Sequence, residues 1–313
     1  MDADPRLFAA APALEKAARA PAALRPLLGE IGDLKRLRSA DREGSIAMRL
    51  FRQAWAALAA GEPAAEVCDR TVAAAVAAAR LGDLDGPKLM QLGLTANEAL
   101  AVLRRAFDEA EALDPALAAA LRASLDPAPR TEAGAPPFVD LLERQPRAGA
   151  TCPGKPRIVL EPPENHAEHS VIVAVYGVLL SPAYGADRAT VFLAGLAHHL
   201  HSAAMPDSGF TGEVLLGAHL QPVIDRATEL AAAELAPDLR ARVMAARALL
   251  ADADTPEGRA FHAADVIDRV LQIAQHLRPA SIGMATVLDE LELVHDGPVK
   301  PFHDRVLAEM GLP

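Results

Sequence analysis

Aromatic side chains are scarce in this chain, with one Trp, two Tyr and eight Phe among 313 residues. Sheets draw on aromatic and β-branched residues, and alanine leads the apolar half of this sequence, so the shortage argues against a sheet protein and for close-packed helices. Cysteine is nearly missing: Cys68 and Cys152 cannot make a disulfide scaffold and fit a reducing, cytoplasmic setting. No apolar run approaches the roughly 20 residues that span a bilayer. The opening MDADPRLFAAAPALEK carries acids at once instead of the basic start of a secretory signal. An excess of basic charge is absent too. Lys and Arg number 31 against 42 Asp and Glu, which excludes a broad nucleic-acid duplex face but leaves room for a local basic pocket. Glycine-rich phosphate loops are lacking: LGDLDGPKLMQLG has neither a preceding strand nor the lysine spacing of such a loop.

What remains is helical. Leucine stripes and alanine runs predict helices over 5–28, 39–60 and 64–81, the last closed by Gly82. Thr95 and Glu98 form a capping box for TANEALAVLRRAFDEAEAL, and Asp114-Pro115 opens a short helix to Leu125. Nine prolines then fall between Asp126 and Pro163, where only 138–144 reads as a short helix. Helices resume over 165–180, 188–204, 212–235, 239–253 and 256–277, with an ambiguous tail over 282–312. The expected fold is all-α: an alanine-rich helical domain over 1–130, a proline-rich connection over 131–163 and a second helical domain over 164–313. Cys68 and Trp55 read as core residues.

All ten histidines lie after residue 165. Imidazole is the commonest metal ligand and the natural proton carrier near neutral pH, so any chemistry belongs to the second half. Three places stand out: Glu164-Asn165-His166-Ala167-Glu168-His169-Ser170 at a helix start, Leu196-Ala197-His198-His199-Leu200-His201 at a helix end, and His262-Ala263-Ala264-Asp265 inside a helix. His262, Asp265 and Arg269 share a helix face, next to apolar Val266 and Ile273, which implies a carboxylate near the core. Ligands on separate helices can converge on one ion in a bundle. Imidazole with carboxylate suits a divalent transition metal, with Fe, Mn, Co, Zn and Ni all compatible.

These residues resemble the HD-domain superfamily of metal-dependent phosphohydrolases, in particular its 5′-deoxynucleotidase branch, over roughly 155–277. The resemblance rests on Glu168-His169-Ser170, on LAGLAHH ahead of a doublet, and on Ala264-Asp265. It implies an HD-like bundle, with His169, His198, His199 and Asp265 as metal ligands and a small phosphorylated molecule, such as a nucleotide monophosphate, as substrate. It further implies Asp207 as the catalytic carboxylate that orients or deprotonates water. Lys155 and Arg157 lie near the position of the family's phosphate-gripping base, and Arg188 is a further candidate. Two departures stand out. His199 replaces the Asp of the doublet, and Ser202 replaces a catalytic Glu.

Other roles compete for several of these side chains. His199 could point out of the site, His201 could replace a lost ligand, and His166 is expected at the surface. Asp265 could simply pair with Arg269. His219 is the one hint of a two-iron oxygenase of the same superfamily. His295-Asp296 and His303-Asp304 are read as incidental dipeptides of a polar tail. The two departures also fit a catalytically inactive HD-like binding or regulatory protein. The sequence is compatible with a homo-oligomer and gives no membrane partner.

Overall fold

The computed structural model describes residues 20–277, 283–290 and 292–313. Most of the helix expected over 5–28, and residues 278–282 and 291 next to or within the ambiguous tail, lie outside the described residues. The fold is all-α: among the described residues there are fourteen α-helices and only isolated bridges in place of strands. They are α1 (Arg25–Gly32), α2 (Ile46–Ala59), α3 (Ala64–Leu81), α4 (Gly86–Gln91), α5 (Ala96–Asp108), α6 (Pro115–Ala123), α7 (Phe138–Arg144), α8 (His166–Tyr184), α9 (Arg188–Ala197), α10 (Gly209–Leu216), α11 (Leu220–Ala232), α12 (Pro237–Arg247), α13 (Pro256–Leu277) and α14 (Lys300–Glu309). No helix among the described residues is long and apolar enough to cross a membrane.

Local chemistry sets the ends. Thr95 accepts from the Glu98 amide and Glu98 returns the bond to the Thr95 amide at 2.8 Å, so α5 begins on a complete capping box. The helix expected over 212–235 is split, because Gly217 adopts φ +51° and ends α10 before α11 begins. The helix expected over 188–204 stops at Ala197. There Arg247 donates to the carbonyls of Ala197 and His198, the latter at 2.9 Å, so a remote guanidinium satisfies acceptors that another helical turn would have used.

Helix α8 is the axis of the molecule. Its residues are apolar on every face, and everything from His166 to Ser181 is buried. Helices α2, α9 and α13 pack around it. Its contact with α9 is close because Gly195 has no side chain: a Cβ there would meet Ala174 Cα at 2.5 Å. This approach fixes the register of α9 and therefore the place where His198 and His199 emerge.

The connection over 131–163 does not separate two cores. Phe138, Val139 and Leu142 are fully buried, and one contiguous apolar core includes residues from Ala20 to Leu312. Trp55 of α2 meets Phe138 of α7 edge-to-face at 4.9 Å, which ties the first part of the chain to the proline-rich stretch. The prolines break helices without making a flexible tether, since their apolar neighbours are drawn into the same interior.

Substituting Gly195→Ala forces backbone against backbone, so we expect a loss of about 1–3 kcal/mol, read from urea unfolding. Unchanged stability would mean that the α8–α9 approach is looser than described.

Candidate metal centre

The first turn of α8 carries His166 and His169. Asn165 caps it by accepting from the Glu168 amide at 2.9 Å, while Glu168 accepts from the Asn165 amide at 3.0 Å. Glu168 also accepts from Ser45 Oγ at 2.6 Å, and Ser45 is itself the N-cap of α2. Burial pushes the Glu168 carboxyl above its ordinary range. The start of α8 is thus bound to the start of α2, which fixes the direction of His169.

His169 is fully buried, with Nδ1 at 2.7 Å from Asp268 Oδ2. Asp268 is held in turn by Lys35 Nζ at 2.7 Å, and the same ammonium bonds Glu164 Oε1 at 2.8 Å. All three charged groups of this set are buried. Burial alone would strip Lys35 of its proton, but Asp268 and Glu164 together overcome it and raise its affinity for the proton. Burial would likewise protonate Asp268, yet Lys35 and His169 hold its carboxyl below the ordinary range. Glu164, His169 and Asp268 lie close enough to one another to suggest an ion site, but the Lys35 ammonium already sits against both carboxylates.

With Nδ1–H donated to Asp268, His169 turns Nε2 toward Asp265, 3.3 Å from its Oδ1. His198 repeats the pattern from the end of α9. Its Nδ1–H donates to the Gly195 carbonyl at 2.7 Å, and its buried Nε2 has no hydrogen-bond partner. Ligand-type nitrogens of His169, His198 and His199 all fall within 4.8 Å of one another. Burial, then neighbouring imidazoles, keeps His198 and His199 neutral, as ligands must be. Burial opposes ionisation of Asp265, but a hydrogen bond from His169 and then the Arg269 guanidinium outweigh it and hold the carboxyl well below its usual range. This group could hold a metal ion: its orphaned buried nitrogens and its ionised carboxylate are the donors such an ion requires.

His199 differs from the other two. Its Nε2 lies 3.0 Å from Arg147 Nη1, and a guanidinium can only donate, so Nε2 is the acceptor and the proton of the neutral ring sits on Nδ1. In this arrangement neither nitrogen offers a free lone pair. His199 ligates only if Arg147 yields its place.

Above these groups opens a cavity of about 260 Å³. His198, His199 and Asp265 line it together with two cations, Arg147 and Arg269. Phe210 and His295 stack at 3.9 Å in its wall. The structure therefore brings His169, His198, His199 and Asp265 to one place. Asp207 also faces this cavity, but each of its oxygens accepts a backbone N–H at 2.9 Å, from Ala148 and from Gly209. Lys155 and Arg157 stand outside the lining. Lys155 is exposed, 3.9 Å from Glu290, and Arg157 bonds the carbonyls of Ala148 at 3.0 Å and Ser208 at 3.4 Å, clamping two loops beside the cavity. Arg188 is engaged by Asp69 on the far side of α9, at 2.6 and 2.8 Å.

Several expectations change. His166 is not at the surface: it is fully buried, its ring 4.6 Å from that of His199 and its Nε2 3.5 Å from Asp207. Burial, then Arg147, keeps it neutral. His295 belongs to the cavity wall and His303 to the interior, so the tail is not merely polar. His219 is exposed and lies outside the cavity lining. Lys35, Arg147 and Glu213, another lining residue whose carboxyl burial pushes up, carried no signal in the sequence. Asp268 had one, since it stands one turn after Asp265 on the same helix face. Comparisons with family models, curated proteins and solved structures each return no match to this chain.

Two outcomes follow. Lys35→Ala leaves two buried carboxylates facing each other, so it should cost about 3–5 kcal/mol in urea unfolding, and adding Asp268→Asn should return part of that loss. Burial also lowers His201, His295 and His303 from the ordinary 6.5 to about 4. The unfolded chain takes up these protons near pH 6.5 and the folded chain only near pH 4. Stability is therefore full above pH 6.5 and falls as pH drops through that window, which urea midpoints measured from pH 7.5 to pH 4 should trace.

Proposed function

We propose that this protein is an HD-like, metal-dependent phosphohydrolase acting on a small phosphoester such as a nucleotide monophosphate. The observation that carries this reading is the convergence of His169 and His198, whose rings are fixed from behind through Nδ1–H, with Asp265 beneath a cavity with two arginines; Nε2 of His198 has no hydrogen-bond partner and that of His169 faces Asp265 at 3.3 Å. His169, His198 and Asp265 would hold the ion, with His199 as a fourth ligand if Arg147 moves to substrate. A divalent ion bound there would lower the pKa of a coordinated water toward about 7, from 15.7 in bulk.

The chain's own groups supply the rest. Arg147 and Arg269 line the cavity, and their remaining N–H groups would meet an entering phosphate, Arg147 being bonded to His199 and Arg269 to the Leu293 carbonyl. Asp207, held by the Ala148 and Gly209 amides with the His166 ring 3.5 Å away, is positioned to orient water. Glu213 lines the same space with a carboxyl that burial holds above its ordinary range, so it is the group suited to give a proton to the leaving oxygen. The Phe210–His295 stack offers a flat face to a substrate ring.

A second reading has its own support. Arg147 already occupies His199, and buried Ser202 stands where the resemblance expects a carboxylate, which suits an inactive HD-like protein that binds without hydrolysing. Elemental analysis of untagged protein, followed by turnover of nucleoside monophosphates, separates the two. The hydrolase reading expects one ion per chain, phosphate release, and loss of both in His198→Ala and Asp265→Asn. Asp268→Asn should weaken metal binding about 10–100-fold without removing a ligand. Bound metal with no phosphate release favours the binding protein. Unchanged metal content in His198→Ala contradicts the ligand assignment.

A further inference from the structure

A second and larger cavity, of about 400 Å³, lies in the first part of the chain between α2, α3 and the segment 124–132. Its volume is within the range of small-molecule sites. The floor is apolar, formed by Ile46 and Leu50 of α2 with Ala74, Ala78 and Leu81 of α3. The segment that roofs it is held close, because Gly86 lets the backbone of Pro127 approach to where a Cβ would be 2.3 Å away.

The charges around its rim are unevenly matched. At one end Arg42 is met by Asp85 at 2.6 and 2.9 Å and Arg49 by Asp83, so these cations are neutralised within the wall. At the other end Arg70 and Arg130 both line the cavity. Arg70 reaches Glu62, outside the lining, at 2.6 Å, and Arg130 faces Asp126, a half-exposed lining residue, at 3.7 Å, with Glu62 a further negative neighbour. Glu132 is turned to Gln53 instead, accepting from its amide at 3.1 Å. Two forked cations at the edge of an apolar floor complement a carboxylate carrying a hydrocarbon body.

We propose that this cavity binds an apolar carboxylic acid, with its carboxylate between Arg70 and Arg130 and its hydrocarbon body against Ile46, Leu50 and Ala78. The site is separate from the histidine cluster and does not depend on the reading given to that cluster. Burial and the neighbouring Arg70 push the Arg130 guanidinium down to about 10, a cost that an anion between the two would relieve.

Isothermal titration of the full chain with octanoate, acetate and 1-octanol tests the assignment. Octanoate should bind at one site per chain, and acetate and octanol far more weakly, because each lacks one half of the recognition. Arg130→Gln should weaken octanoate at least about tenfold. Ala78→Phe should abolish binding by filling the floor, and Asp265→Asn should bind octanoate as the unaltered chain does. Thermal unfolding of each variant shows that it is folded, and the partly exposed Arg130→Gln serves if Ala78→Phe does not fold. Octanol binding as tightly as octanoate, octanoate affinity unchanged in Arg130→Gln, or no saturable heat would each overturn the proposal.

Discussion

A buried ammonium and two buried carboxylates have to be assembled together, because any one of them left alone in an apolar interior is worth several kcal/mol against folding. Lys35, Glu164 and Asp268 meet this requirement by drawing three remote stretches of chain to one point. The arrangement does more than balance charge. Asp268 uses its second oxygen to hold His169 Nδ1, and so decides which nitrogen of that ring faces Asp265. Stability and site geometry are here the same set of contacts. Breaking the ion set loosens the imidazole, and altering the imidazole unbalances the ions.

The division into a helical first part and a chemical second part is therefore one of composition rather than of function. The first part brings Lys35 to the cluster, Ser45 to the carboxylate of Glu168 and Trp55 to the shared core. The proline-rich stretch adds Arg147, which reaches His199. A site assembled from so many segments can be rigid without metal, since each ring is fixed by a bond on its far side before any ligand arrives.

Much of the fold was legible because helix signals are local. The apolar periodicity over 64–81, the Thr95–Glu98 box and the all-round apolar face of α8 each depend on residues a few places apart. The convergence of His169, His198, His199 and Asp265 was legible through the resemblance to the HD superfamily, while burial cost alone pointed only to three histidine- or acid-bearing places. Lys35 and Arg147 were not legible, because nothing near either in sequence marks it as facing a partner more than fifty residues away. His166 was misread at the surface because the first turn of a helix usually meets water. Here the His166 amide is bonded to the Gln145 carbonyl at 3.1 Å, and the 145–165 strap closes over that turn. The same limit applies to His295, which is partly covered by the Phe210 ring stacked on it in the cavity wall.

The central claim is that His169 and His198 both face a common point through Nε2, each anchored behind through Nδ1–H. Long-range nitrogen–proton NMR of histidine-labelled protein, recorded before and after addition of zinc, reads the two nitrogens of each ring separately. The account predicts that in the zinc-loaded protein both rings carry the proton on Nδ1 and that their Nε2 resonances take the shift of a metal-bound nitrogen. Rings protonated on Nε2, or Nε2 resonances that zinc leaves unmoved, would contradict it.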